Sequence, residues 1–135
     1  MAGYSGTPLA NKLGIKEGHR VLLLGAPAPV ARLIELPTGA TVHGRLAGKA
    51  AFDVIVAFVV SRAKLAPQIA AIRPRMTPAA GLWIAWPKRA SGVATDMTED
   101  VVREVALPTG LVDNKVCAID DTWSGLRLVI RRELR

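Results

Sequence analysis

Lys88 stands one residue past an apolar segment that Pro87 brings to a stop, in the run Gly81-Leu82-Trp83-Ile84-Ala85-Trp86-Pro87-Lys88-Arg89. A cation at the tip of a buried strand can meet the anionic part of a ligand, and in open α/β sheets ligands bind beyond the carboxyl ends of the strands. The candidate ligand edge therefore collects Gly25, Ala26, Ser61, Trp86, Lys88 and Ser91. The alternative for Lys88 is a solvated loop cation. Trp83 and Trp86 point to opposite faces of a strand, and core packing suits both. Asp113-Asn114-Lys115 places a carboxylate, an amide and a cation on one loop, which suits either a polar ligand or ordinary turn chemistry. Trp123 either stacks on a ligand or covers a hairpin. Asp120 and Asp121 are adjacent, as a shared-proton pair would be, but a hairpin turn explains them better. His19 and His43 have no second histidine or cysteine at ligand spacing, so no metal site is expected. Cys117 lies in an apolar strand and reads as a small buried hydrophobe. No catalytic constellation emerges, and the reading leans away from an enzyme.

Charge and composition narrow the classes. The chain has 135 residues, half of them apolar, and a net charge of +7. That length suits one domain over residues 1–135, with a core of its own. Residues 1–75 carry ten Lys/Arg and three Asp/Glu, whereas residues 76–135 carry eight of each. A basic half can attract nucleic acid, but its cations are scattered and few aromatics interleave with them. No apolar run approaches the ~20 residues of a membrane span. No signal-peptide pattern opens the chain, and the single cysteine allows no internal disulfide, so a cytoplasmic setting is expected.

The elements that must position these residues follow from pattern and punctuation. Thr7 suits an N-cap, Pro8 a first helical position and Gly14 a helix stop, with Leu9 and Leu13 on one face. His19–Leu24 is continuously apolar after its first two residues, which marks a strand covered on both faces. A short helix follows from Pro27 or Pro29 to about Glu35, then a weak strand over Ala40–Leu46. Ala51–Val60 is the strongest strand. Leu65, Ile69 and Ile72 recur at helical spacing, with Pro67 expected in the first turn. Pro74 and Pro78 bracket a loop before the strand Leu82–Trp86. Asp96 or Thr98 caps a helix bearing Val101, Val102, Val105 and Ala106, and Glu99 lies at capping-box spacing from Asp96. Strands at Lys115–Ile119 and Leu126–Ile130 are joined by so short a link that they form an antiparallel hairpin. Strand–helix–strand units impose parallel pairing. The expected fold class is α/β: one three-layer Rossmann-like domain, a mostly parallel sheet of about six strands ending in that hairpin.

Several stretches together resemble a family of short bacterial proteins catalogued as a domain of unknown function. They are Gly3-Tyr4-Ser5-Gly6-Thr7-Pro8-Leu9-Ala10, Leu13-Gly14-Ile15-Lys16 with Gly18-His19-Arg20-Val21, and Trp83-Ile84-Ala85-Trp86-Pro87-Lys88. Thr98-Glu99-Asp100-Val101-Val102-Arg103, Gly110–Cys117 and Trp123-Ser124-Gly125-Leu126-Arg127 continue the likeness. The resemblance implies no activity. At the level of fold the chain is similar to class I methyltransferases, whose sheets also end in a hairpin. That resemblance implies a glycine-rich turn after the first strand and an acidic residue ending the second, to hold S-adenosylmethionine. Here the turn reads Gly25-Ala26-Pro27-Ala28-Pro29, the second tip reads His43-Gly44-Arg45, and Asp53 begins its strand instead of ending it. No cofactor is assigned. Three readings stay open: a non-catalytic module binding a small anion, a nucleotide or a protein partner; a divergent S-adenosylmethionine-dependent methyltransferase; and a basic nucleic-acid-binding module. A second copy pairing along the second strand's edge is a further option.

Overall fold

Consecutive apolar residues such as Val21–Leu24 and Val54–Phe58 cannot hide on one face of a sheet, so their strands must be covered on both. The computed structural model, which describes residues 7–135, places them side by side. The strands are β1 (Arg20–Leu24), β2 (Thr41–His43), β3 (Phe52–Phe58), β4 (Met76–Pro87), β5 (Leu111–Ala118) and β6 (Trp123–Ile130). They form one sheet in the order β2-β1-β3-β4-β6-β5. β2, β1, β3 and β4 pair in parallel, with Leu22 opposite Ile55 and Ile55 opposite Leu82. β6 runs antiparallel to β4 and β5. The three apolar segments thus point the same way, and their carboxyl tips share one rim beside the hairpin.

Helices close both faces. α3 (Arg62–Ile72) and α4 (Glu99–Ala106) cover one, and Leu65, Ile69, Ile72, Val102 and Ala106 are fully buried there. α1 (Leu9–Leu13) and α2 (Ala28–Ala31) cover the other, where Leu9, Leu13 and Val30 meet Val21, Val54, Val56 and Trp83. Trp83 and Trp86 do face opposite layers. The Trp83 indole Nε1 donates to the Leu13 carbonyl at 3.0 Å, so the largest buried side chain also anchors α1.

Several local expectations change. Pro8, not Thr7, holds the N-cap conformation of α1; a strong first-turn former sits just outside the helix, a shift of one residue at a frayed boundary. Gly14 stops α1 as expected, at φ +78°. Pro67 lies inside α3, because the helix begins at Arg62. Pro67 and Ala63, whose carbonyl loses its i+4 partner, are both on the exposed side, where that carbonyl is open to solvent. Pro78 is part of β4: a register shift against β3 between Phe52 and Val54 lets the strand bulge through Met76–Ala80. Thr98 caps α4, its hydroxyl accepting from the Val101 amide. Asp96 instead accepts from the Arg62 amide at 2.7 Å and closes the start of α3. β2 is only three residues long, and the Gly3-Tyr4-Ser5-Gly6 part of the family-like stretch lies outside the described residues.

Candidate functional site

Strand order reverses between β1 and β3, the place where open α/β sheets leave a crevice for ligands. Gly25 ends β1 at φ +72°, a conformation only glycine takes freely, and its position for a Cβ is 3.5 Å from the Phe58 carbonyl oxygen at the tip of β3. Beside it lies a pocket of about 400 Å³ between the tips of β1 and β2, lined by Leu23, Gly25, Ala26, Ala31, Val42, His43 and Gly44.

This pocket does not fit S-adenosylmethionine. Pro27 and Pro29 carry no N–H, and the amides of Val30 and Ala31 are both taken by the Pro27 carbonyl. The four-residue α2 therefore offers little to an anionic group. Among the described residues no carboxylate lines the pocket to receive ribose hydroxyls. Asp53 is committed at the opposite end of β3, where it accepts from the Arg20 amide at 2.8 Å.

A second groove, of about 590 Å³, runs along the rim from Trp86 to Glu99 and reaches Ser124. Most of its polar groups are bonded to the chain itself. Lys88 Nζ donates to the Asp120 carbonyl at 2.7 Å and its amide donates to the Thr122 carbonyl, so the cation expected to meet a ligand braces the hairpin turn. One of its three ammonium protons is thus committed to the fold, and Lys88 is half-buried in the groove's wall instead of the solvated cation of the alternative reading. Ser91 donates its hydroxyl proton to the Lys88 carbonyl, which fixes the following turn. Thr95 does the same for the Val60 carbonyl. Ser61 takes the extended N-cap conformation of α3 without a side-chain bond, leaving that task to Asp96. Arg89 stays exposed at the groove's mouth. Trp86 is buried under α3 and α4, and Trp123 packs edge-to-face on Phe58 at 5.1 Å, so the rim aromatics are packing groups.

The other candidates separate. Asp113, Asn114 and Lys115 lie within β5, not on a loop, because β5 begins four residues earlier than its apolar half suggested. A register shift between Asp113 and Lys115 splits them. Asp113 bonds Arg103 at 3.0 Å, while Asn114 and Lys115 line a different cavity, away from the rim. Arg103 also pairs with Glu99, and these two carboxylates, Asp113 foremost, hold its guanidinium more firmly protonated. Asp120 Oδ1 accepts from the amides of Thr122 and Trp123 at 2.8 Å each, an Asx turn. Burial pushes the Cys117 thiol pKa up, against the pull of Lys12 and Lys115. Among the described residues no cluster of three or more metal-ligating side chains occurs.

The basic first half also has a structural task invisible in one dimension. Arg20 and Arg75 both lie over the Phe52 ring, each 5.4 Å from its centroid. Their nitrogens donate to the carbonyls of Ala51, Ala50 and Ala47 and pin the loop before β3. Two of the cations available to a polyanion are thus held by the fold.

No protein-family model and no curated protein matches the sequence. Solved structures do match. A SAM-dependent methyltransferase from Aquifex aeolicus superposes with a TM-score of 0.65 at 14% identity, over 90% of this chain and 88% of that one. Fibrillarin of Aeropyrum pernix, solved with natively bound S-adenosyl-L-methionine, gives 0.62 at 17% identity, over 94% and 70%. A TehB-like SAM-dependent methyltransferase from Corynebacterium glutamicum gives 0.61 at 13% identity, over 96% and 91%. No helix of the described residues is long and apolar enough to cross a membrane. At these identities the likeness establishes architecture: the chain has the Rossmann-like fold of the class I S-adenosylmethionine-dependent methyltransferases.

Proposed function

We propose that this protein is a non-catalytic binding module on a methyltransferase fold, taking a small, partly apolar anion at the carboxyl rim. The observation that carries the reading is the first turn. Pro27 and Pro29 remove donors there, and among the described residues no carboxylate lines the adjoining pocket. The neighbouring groove is floored by Trp86 and Met97 and has Arg89 exposed at its mouth, a pairing that suits an apolar body with one negative group. The resemblance to short bacterial proteins of unknown function remains part of the same reading.

A specific observation favours a second reading. The matching structures described above include S-adenosylmethionine-dependent enzymes, and Gly25 retains a left-handed turn conformation at the tip of β1. One experiment separates the two. Calorimetric titration with S-adenosylmethionine is expected to show no saturable binding up to about 1 mM. Aliphatic carboxylates are expected to saturate, and Arg89→Gln to weaken them by roughly tenfold, about 1.4 kcal/mol. Saturable S-adenosylmethionine binding, or methyl transfer to any acceptor, would overturn the non-catalytic reading in favour of the second.

A further inference from the structure

The cavity that holds Asn114 and Lys115 lies under α1, toward the amino ends of the parallel strands. It is about 450 Å³ in volume, and its lining includes Lys12, Lys16, Lys115 and Arg127, with Asp53 as the single carboxylate. Lys12 is held by the Ala118 carbonyl at 3.0 Å, and the other three cations share the cavity with one acid whose oxygens are already engaged, by the Arg20 amide and the Thr77 hydroxyl.

Arg127 is the centre of this arrangement. It lies opposite Trp83 on β4 and Lys115 on β5, on the face that α1 covers. Its guanidinium rests over Gly81: a Cβ there would come within 2.6 Å of Arg127 Nε and 2.8 Å of Nη2. The glycine leaves room for the planar group, and any side chain would push it out. Among the described residues no hydrogen bond or ion pair to this guanidinium is found, in contrast to Arg103 with its three carboxylates. Burial and the charge of Arg135 both act to lower its pKa, and no acid offsets them. The guanidinium is half-withdrawn from water and its donors are not taken by a protein group among the described residues, so an oxyanion can accept from them.

We propose that this cavity is a binding site for the phosphoryl group of a small phosphorylated molecule, with Arg127 as its bidentate receptor. The guanidinium fork matches two phosphate oxygens, whereas lysines act as point charges. Lys16 and Lys115 supply such charges, and Asn11 and Asn114 supply amide donors around the same space. The volume suits a small molecule. Among the described residues no Phe, Tyr or Trp lines it, so those residues offer a nucleic-acid strand no stacking platform. The site lies away from the carboxyl rim and is independent of the ligand proposed there.

The test uses the full chain at low salt, with inorganic phosphate and glycerol phosphate titrated to about 10 mM by calorimetry and phosphorus NMR. Saturable binding is expected, tighter for the ester than for the free ion if the cavity holds the organic part. Arg127→Gln and, separately, Gly81→Ala are expected to weaken it by about tenfold or more. The exposed double change Lys16→Gln with Lys115→Gln is expected to weaken it less, and it keeps the test interpretable should Arg127→Gln misfold. Arg89→Gln is expected to leave it unchanged, which separates failure here from failure at the rim. No saturation by either phosphate, or saturation indifferent to Arg127, Gly81, Lys16 and Lys115, would overturn the site. A single-stranded RNA oligonucleotide that binds through Arg127 while the small ester does not would overturn the small-molecule assignment.

Discussion

The two ends of the parallel strands differ in how their polar side chains are used. At the carboxyl rim, where this fold class places its ligands, Lys88, Thr95 and Asp96 are each bonded to the backbone of a neighbouring segment, and Ser91 to that of its own turn. At the amino end Lys12, Arg20 and Asp53 are bonded to backbone as well, but Arg127 sits half-buried over Gly81 without such a bond, among further cations. A rim rich in polar residues can therefore be a scaffold, and an end with no fold-level expectation of a site can hold the unsatisfied charge. The difference follows from hydrogen-bond economy: a satisfied donor gains little from a ligand, whereas a desolvated, unpartnered one gains much.

The largest effect that would break this contrast comes from Trp83→Ala. It removes the buried indole and its bond to Leu13, so stability is expected to fall by about 3–5 kcal/mol in urea unfolding. Because Leu13 lines the amino-end cavity, phosphate binding should weaken under conditions where the variant remains folded. A loss below about 1 kcal/mol would show that α1 is held by other contacts.

Asp120→Ala tests the rim. It deletes the acceptor of two amides, and about 1–3 kcal/mol of stability is expected to go. If the turn truly braces Lys88, the freed amine should then acylate faster than in the parent, read by mass spectrometry. Equal rates would mean that Lys88 is already available to ligands.

Gly25→Ala sharpens the same point. The new Cβ meets the Phe58 carbonyl oxygen at an ordinary 3.5 Å, so space is not the obstacle. The cost is the left-handed backbone, about 1–2 kcal/mol. Rim ligands that depend on this turn should weaken with it, and amino-end phosphate binding should not.

The smallest effect concerns Cys117, whose thiol is held above its ordinary pKa chiefly by burial. A raised folded-state value means that the folded chain binds the proton more tightly than the unfolded one. The contribution is fully present below the unfolded thiol's pKa and is lost as pH rises through the folded value. Stability should thus decline on the alkaline side of the unfolded thiol's range, and Cys117→Ala should flatten that decline. Disulfide-exchange labelling at mildly alkaline pH should be slower in folded than in urea-unfolded protein. Equal labelling would place the thiol in solvent.

Much of the architecture was legible in one dimension, because apolar runs, helical spacing and terminal punctuation act locally. Val54–Phe58 had to be covered on both faces, Leu65, Ile69 and Ile72 had to share a helix face, and Gly14 had to end α1. Errors fell where a distant partner overrides local preference. Pro78 entered β4 because β3 accommodates a bulge, and Asp113 joined β5 because β6 continues opposite it. Asp96 left its apparent capping box for the start of α3, since that helix packs against α4.

The candidate site was less legible, for a related reason. Residue type and position along a strand indicated Gly25, Trp86 and Lys88 at the rim, and they are there. Which donors are already bonded depends on segments far apart in the chain: Lys88 on Asp120, Arg20 on Ala51, Arg75 on Ala47. Arg127 stands in the sequence only as the end of a family-like stretch, with no ligand role assigned, since nothing local distinguishes it from any strand arginine. Its only sequence trace is a glycine 46 positions earlier, Gly81, whose missing side chain makes the room. Sequence alone determined the α/β class, the hairpin and the facing of both tryptophans, because periodicity and chain connectivity govern these. Tertiary structure alone decided which cations are satisfied and which are not, because that depends on through-space partners that no spacing rule encodes.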